Sequence, residues 1–222
     1  MRKRVLVVAP HPDDETLGVG GTIAKFAEQG HEVAVLVVSG HLPPLYSREH
    51  YELTVKEAGR AFSVLGVATS RFLEIPATMV DEQPVGVLNG KVLGMIKEIE
   101  PHIVLCPFPD RHIDHRVVFE SVMVAARPVG AGRCIEMLAA YETLSETHWN
   151  APHMEPNFVP NFVVDITEQI DRKVSAIGCY ESQIPEFPGA RSLEAVKALA
   201  VFRGTQAGFS YGEALQVIRM IG

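Results

Sequence analysis

Two short segments hold most of the side chains that could do chemistry. The first, Pro10-His11-Pro12-Asp13-Asp14-Glu15, places one imidazole and three carboxylates in five consecutive positions. The second, Asp110-Arg111-His112-Ile113-Asp114-His115, adds two imidazoles and two carboxylates. Read singly, each has a plain structural account, because Asp and Pro favour loops and an Asp or an HxDH segment can cap the start of a helix. Read together they point to a divalent metal. Imidazole and carboxylate without thiolate suit a borderline ion such as Zn²⁺, and a catalytic zinc site takes three protein ligands and leaves a position for water. A spare carboxylate beside the ion can take a proton from water whose pKa the ion lowers toward about 7. A spare imidazole opposite can stabilise an oxyanion and protonate a leaving amine.

These residues need a scaffold that brings the two segments together. Residues 4–9 (RVLVVA) and 31–38 (HEVAVLVV) are Val-rich runs of the kind found in strands covered on both faces. Between them, residues 16–29 predict a helix with Leu17, Ile23, Ala24 and Ala27 on one side, Lys25, Glu28 and Gln29 on the other, and Gly30 as the stop. The alternation continues with a helix over 49–65, a strand at 71–75, a helix over 87–100, a strand at 102–106 and a helix ending before Pro128. Strands near 136–141 and 158–165 follow, then helices from Thr167, from Ser192 and from Gly212. The expected fold is α/β: a single-domain, Rossmann-like, doubly wound and mostly parallel sheet with helices on both faces, spanning 1–222. Both clusters follow a strand, and loops at strand C-termini line the ligand crevice of such a sheet. With a helix starting near Ile113, His112 and His115 can face the same crevice as His11 and Asp14.

Composition narrows the partners. A chain of 222 residues with 47% hydrophobic content is long enough for one sizeable core. A net charge of −7, with the acidic residues dispersed, argues against a nucleic-acid or anionic-membrane surface and for a small neutral or mildly charged substrate. The first apolar run ends at Ala9 and Pro10, too short for a secretory or spanning segment, so a cytoplasmic protein is expected. Cys106, Cys134 and Cys179 form no CxxC pair and read as free thiols. Gly18, Gly20 and Gly21 open the first helix, but a GxGxxG fingerprint fails at Ile23, and Val38 and Ser39 stand where an acidic ribose contact belongs. Ser39-Gly40 lacks the GxSxG elbow of a serine hydrolase.

At the two clusters the chain resembles the LmbE/PIG-L family of zinc-dependent N-deacetylases, whose signatures are an HPDDE-type loop and an HxDH-type segment. Later segments are similar too: Pro160-Asn161-Phe162 through Asp165-Ile166-Thr167, Lys173 through Gln183, and Arg203-Gly204 through Ala214. The resemblance implies one Zn²⁺ per chain, replaceable by other divalent ions, held by His11, Asp14 and His115. It implies Asp13 as general base, His112 as the oxyanion-stabilising acid and Asp114 as the group tuning His112. It further implies an N-acetylglucosamine-type amino sugar or its conjugate as substrate, and a homo-oligomer, trimer or hexamer. One departure stands out. Many members carry an arginine on the second helix, twelve residues before the glycine of an LG or MG pair, and counting back from Gly66 gives Thr54. Arg48 and Arg60 are the substitutes considered for that substrate contact, and Trp149 is an aromatic that could stack on a sugar ring. Two other readings compete: a zinc amidase for another acyl group or a thiol conjugate, and a non-catalytic metal-dependent sugar-binding protein. Asp13, His112 and Asp114 exceed what metal binding alone requires.

Overall fold

The computed structural model describes residues 2–222. Strand β1 (Arg4–Ala9) lies between β2 (Glu32–Gly40) and β4 (Ile103–Pro107), parallel to both. β3 (Thr69–Pro76) extends the parallel sheet beyond β2, and β5 (Met137–Tyr141) extends it beyond β4. Two antiparallel strands complete it, β7 (Gly212–Met220) beside β5 and the short β6 (Phe162–Asp165) at the edge. The order across the seven strands is β3-β2-β1-β4-β5-β7-β6.

The alternation along β1 shows why both faces must be covered. Val5, Val7 and Ala9 pack on one side with Val19 and Ile23 of α1 (Asp14–Glu28), Phe62 and Leu65 of α2 (Arg48–Leu65) and Ala176 of α5 (Ile170–Ile177). Leu6 and Val8 point the other way, into Val92 and Ile96 of α3 (Val85–Ile99) and Val118 and Val122 of α4 (Ile113–Ala125). A period of two thus feeds two cores at once. α6 (Leu193–Thr205) packs against β7 and β6. Among the described residues, no helix is long and apolar enough to cross a membrane.

The chain differs from its sequence-based reading near the C-terminus. The helix expected from Gly212 is β7, paired with β5 and β6 on its two sides. Glu, Ala, Leu and Gln favour helix locally, but β6 pairs with Gly212–Leu215 and β5 with Leu215–Met220, so the segment finds ladder partners along its length, and tertiary context overrides a weak propensity. The strand expected over 158–165 is confined to β6, and the helix from Thr167 begins as a 3₁₀ turn, Thr167–Gln169, before α5.

β7 also completes α1. Val19 leaves helical geometry (φ −137°, ψ 23°), which interrupts α1 and frees amide donors just beyond it. Glu213 takes them: its carboxylate accepts from the backbone N–H of Gly21 and Thr22 at 2.8 and 2.7 Å and from the Thr22 hydroxyl at 2.6 Å. Lys173, equally buried, neutralises it at 2.5 Å. The glycines of α1 permit this close packing. A Cβ on Gly18 would lie 2.3 Å from the Tyr141 ring, and one on Gly21 would lie 2.7 Å from Ile166. Their role is helix against sheet, with no phosphate loop involved.

Candidate metal and catalytic site

Each cluster sits in the turn between a parallel strand and the helix that follows it. The first loop runs from β1 into α1, and the Ser39 N–H donates to the Pro10 carbonyl at 2.8 Å, tying the loop to the end of β2. Asp13 is the N-cap of α1, but only through its backbone: its carbonyl accepts from Thr16 and Leu17, while its side chain makes no capping bond. A φ of 121° turns that carboxylate away from the helix end. Such a conformation is rare for a side-chain-bearing residue and costs on the order of 1–3 kcal/mol. Asp13 therefore caps α1 by its carbonyl alone, and its carboxylate is directed to Arg191 at 3.0 Å.

The second loop runs from β4 into α4, which begins at Ile113. Here the N-cap is His112, whose Nδ1 accepts from the Asp114 N–H at 3.2 Å. A neutral imidazole that accepts at Nδ1 carries its proton on Nε2. Burial, then the neighbouring His11 and His115, lower the His112 pKa, which keeps the ring in that neutral form. Capping and chemistry therefore coexist in this residue, the cap selecting the tautomer that can donate.

His11, Asp14 and His115 meet around one carboxylate oxygen. His11 Nδ1 lies 3.1 Å and His115 Nε2 lies 3.2 Å from Asp14 Oδ2. The opposite nitrogens are held by other carboxylates: His11 Nε2 by Asp114 at 2.8 Å, and His115 Nδ1 by Asp110 at 3.0 Å. Two triads have ligand atoms within 4.8 Å of one another, His11-Asp14-His115 and His11-His112-Asp114. The first fits a metal better. Both its histidines have the far nitrogen anchored by a carboxylate, the usual outer support of a metal-bound imidazole. In the second, His112 spends Nδ1 on its cap, and Asp114 Oδ2 is already occupied by His11 and by the Thr78 N–H at 2.7 Å. Asp14 Oδ1 and His115 Nε2 of the first triad, and Asp114 Oδ1 of the second, are buried with no hydrogen-bond partner, a condition an ion would relieve in either, so the anchored imidazoles decide between them.

The electrostatics describe a site built around negative charge. Burial would raise the Asp14 carboxyl, but His115 and His11 outweigh it and hold Asp14 well below its ordinary range. Burial would likewise lower the two imidazoles; Asp114 and Asp14 lift His11 to about 9, and Asp14 with Asp110 lifts His115 to about 10. Asp13 goes the other way. Burial raises its carboxyl to about 7, with Arg191 pulling down and Asp14 pushing up.

Several contacts could not be read from motif spacing. Asp114, expected to tune His112, meets that ring through its backbone N–H and through the charge of its carboxylate, which also binds His11. Asp110 anchors His115 and is itself fixed by the Thr147 hydroxyl at 2.8 Å, from the loop after β5. Arg191, 178 residues beyond Asp13 in the chain, reaches Asp13 Oδ2 at 3.0 Å and Ser145 Oγ at 3.0 Å. Asp13 Oδ1 remains buried without a partner. From the sequence, Phe187 and Arg191 to Ser192 in the Pro-rich segment before α6 read only as part of the rim, and nothing there pointed to Asp13.

The two arginines considered for substrate contact are engaged by other groups. Arg48 pairs with Glu52 and Glu74, and Arg60 with Glu181 and the Cys179 carbonyl. Thr54 is fully buried in α2, its hydroxyl donating to the Tyr51 carbonyl. Trp149 sits on the loop after β5, 61% exposed, held by its N–H to the Ser145 carbonyl.

A doubly wound α/β sheet thus gathers His11, Asp14 and His115, a group that could hold a metal ion, at the C-terminal ends of β1 and β4, where the ligand crevice of such a sheet opens. Residues 6–126 match PIG-L, the GlcNAc-PI de-N-acetylase family, and the chain belongs to that family. It is 29% identical to a diacetylchitobiose deacetylase from Thermococcus kodakarensis, over 97% of this chain and 83% of that protein. It is 26% identical to a 1D-myo-inositol 2-acetamido-2-deoxy-alpha-D-glucopyranoside deacetylase from Rhodococcus jostii, over 84% of this chain and 83% of that one. Among solved structures, it is similar to an N,N'-diacetylchitobiose deacetylase from Pyrococcus horikoshii, with a TM-score of 0.76, 25% identity, and coverage of 97% of this chain and 84% of the other.

Proposed function

We propose that the protein hydrolyses the N-acetyl group of an N-acetylglucosamine-type amino sugar or its conjugate, with Zn²⁺ held by His11, Asp14 and His115. What supports this reading is the arrangement of the groups: His11, Asp14 and His115 can converge on one ion with carboxylates behind both histidines, while Asp13 lies outside both possible ligand groups and His112 commits its Nδ1 to the cap of α4. The relatives named above act, by their names, on acetylated amino sugars.

The ion, when bound, supplies a Lewis acid that polarises the acetamide carbonyl and acidifies water. Asp13 Oδ1 accepts a proton from the attacking water while Arg191 holds Oδ2 and so fixes the carboxylate's orientation. The water oxygen adds to the carbonyl carbon. His112, protonated on Nε2, donates to the developing oxyanion. The carbon–nitrogen bond then breaks, the proton taken by Asp13 passes to the leaving nitrogen, and acetate and a free amine result. The test is direct: purified protein is supplied with N-acetylglucosamine conjugates, and acetate and amine are measured with and without chelator. Activity that survives complete metal removal, or that releases a longer acid in preference to acetate, overturns the reading.

A further inference from the structure

The left-handed turn at Asp13 is held at more points than its contact with Arg191. Its carbonyl accepts from the Thr16 and Leu17 N–H groups at 3.0 and 2.8 Å, and its own N–H reaches forward to Glu15 Oε2 at 3.4 Å. That last contact resembles half of a helix capping box, in which a carboxylate of the first turn takes the N–H of the cap residue. It is long, so it constrains Asp13 only if the Glu15 carboxylate is itself fixed. Two hydroxyls donate to the other oxygen, Glu15 Oε1: Thr16 at 2.6 Å and Tyr180 at 2.6 Å. Thr16 moves with the same helical turn and cannot fix Glu15 against the rest of the molecule. Tyr180 can. Its ring is buried in the core shared by α1, α2 and α5, and Ser182 just beyond it is tied to the buried Glu57 of α2 through its N–H at 2.9 Å and its hydroxyl at 2.6 Å.

We propose that Tyr180 is a positioning residue for the general base: through Glu15 it holds the Asp13 peptide in the turn that sets the carboxylate, an assignment that rests on the deacetylase reading. Neither Tyr180 nor Glu15 is used by the metal or by proton transfer. Glu15 is fully buried, and its partners are two hydroxyls and one amide. A buried carboxylate is costly unless it is hydrogen-bonded, and packing alone would be served as well by an apolar side chain. What the carboxylate adds is a rigid link from the core to the Asp13 N–H. Tyr180 and Arg191 stand near the two ends of the connector between α5 and α6. One segment therefore fixes the base twice, at its backbone through Glu15 and at its side chain through Arg191. A base turned by a small angle about that peptide would no longer meet the attacking water in line.

The test combines crystal structures with acetate release by the zinc-loaded full chain, from whichever of N-acetylglucosamine, N,N'-diacetylchitobiose and N-acetylglucosaminyl malate the parent hydrolyses. Tyr180→Phe keeps the ring and removes the hydroxyl. Its kcat should fall about 10- to 100-fold, the range for a catalytic group displaced by up to about 1 Å, with KM and zinc content unchanged. Glu15→Gln should lose a similar factor, because an amide that accepts from Tyr180 turns its NH₂ toward the Asp13 N–H; if that variant does not fold, Tyr180→Phe decides alone. In an Asp13→Asn background there is no base to misplace, so adding Tyr180→Phe should change kcat by less than about twofold. Ser182→Ala, which loosens the same connector without touching Glu15, should keep parental kcat. In crystals of Tyr180→Phe, Asp13 should leave its φ of 121° or lose its contact with Arg191. Parental kcat in Tyr180→Phe overturns the proposal, as does an equal loss with and without Asp13, an equal loss in Ser182→Ala, a loss of zinc, or an unmoved Asp13. If the parent releases no acetate from any probe while Tyr180→Phe still displaces Asp13 in the crystal, the positioning stands and the assigned reaction falls.

Discussion

Asp13→Asn separates proton transfer from metal binding more sharply than any ligand change. Asn matches Asp in volume and is among the residues that tolerate positive φ, so the φ of 121° at this position should survive; Ala there would meet the strain unaided. The amide oxygen can accept from Arg191 as Asp13 Oδ2 does now at 3.0 Å, which leaves the NH₂ group facing the crevice where an acceptor is required. The variant lacks the base in the orientation its neighbours enforce. Turnover should fall by a factor on the order of 10² to 10⁴, or about 3–5 kcal/mol in the barrier. Stability should change little. The lost pair with Arg191, a side chain 26% exposed, and the relieved repulsion from Asp14 and Glu15 oppose each other, for a net change within about 1 kcal/mol. Acetate release gives kcat and KM, atomic absorption gives zinc content, and urea unfolding gives stability. Asp14→Asn is the contrast: its first effect should be weaker metal binding, with activity partly recovered at high zinc. If Asp13→Asn loses its zinc, or turns over at near-parental rate when saturated with zinc, the roles assigned to these adjacent aspartates are wrong.

Three further outcomes follow from the contacts. Asp110→Asn weakens the anchor on His115 Nδ1 without touching a ligand, so zinc affinity measured by competition with a chelator should fall about 10- to 100-fold; an unchanged affinity would remove Asp110 from the site's support. Lys173→Met leaves Glu213 buried and uncompensated under α1 and should cost about 3–5 kcal/mol in urea unfolding, with a loss under about 1 kcal/mol refuting the pairing. Glu142 links stability to acid. Burial would raise its carboxyl, but His148 and Arg203 outweigh that and bring it below 4.5. Its contribution is therefore present above 4.5 and lost as pH falls through the depressed folded value. Glu142→Gln should be less stable than the parent at pH 7 and show a smaller further loss on acidification toward pH 4. Equal acid losses in the two proteins would contradict this.

Local pattern along the chain is enough for the central strands and for the edge of the sheet where the two clusters sit. The Val-rich runs named the central strands, and their lack of polar alternation implied helices on both faces, because a strand buried twice needs apolar residues at every position. The positions of His11 and Asp14 after one strand and of His112 and His115 after another placed both clusters at one edge of the sheet, and the start of α4 at Ile113 follows from the HxDH spacing. Tertiary structure decided what each side chain does there. Asp13 stays open between helix cap and base until the structure shows that its side chain makes no capping bond, and His112, expected as a catalytic acid, also proves to cap α4 through Nδ1. The supports of the site, Arg191 on Asp13, Thr147 on Asp110 and Asp114 on His11, come from loops tens to hundreds of residues apart and have no spacing to betray them. β7 makes the same point for the backbone: a helix-favouring segment became a strand because β6 pairs with its first half and β5 with its second, and only the assembled sheet contains those partners.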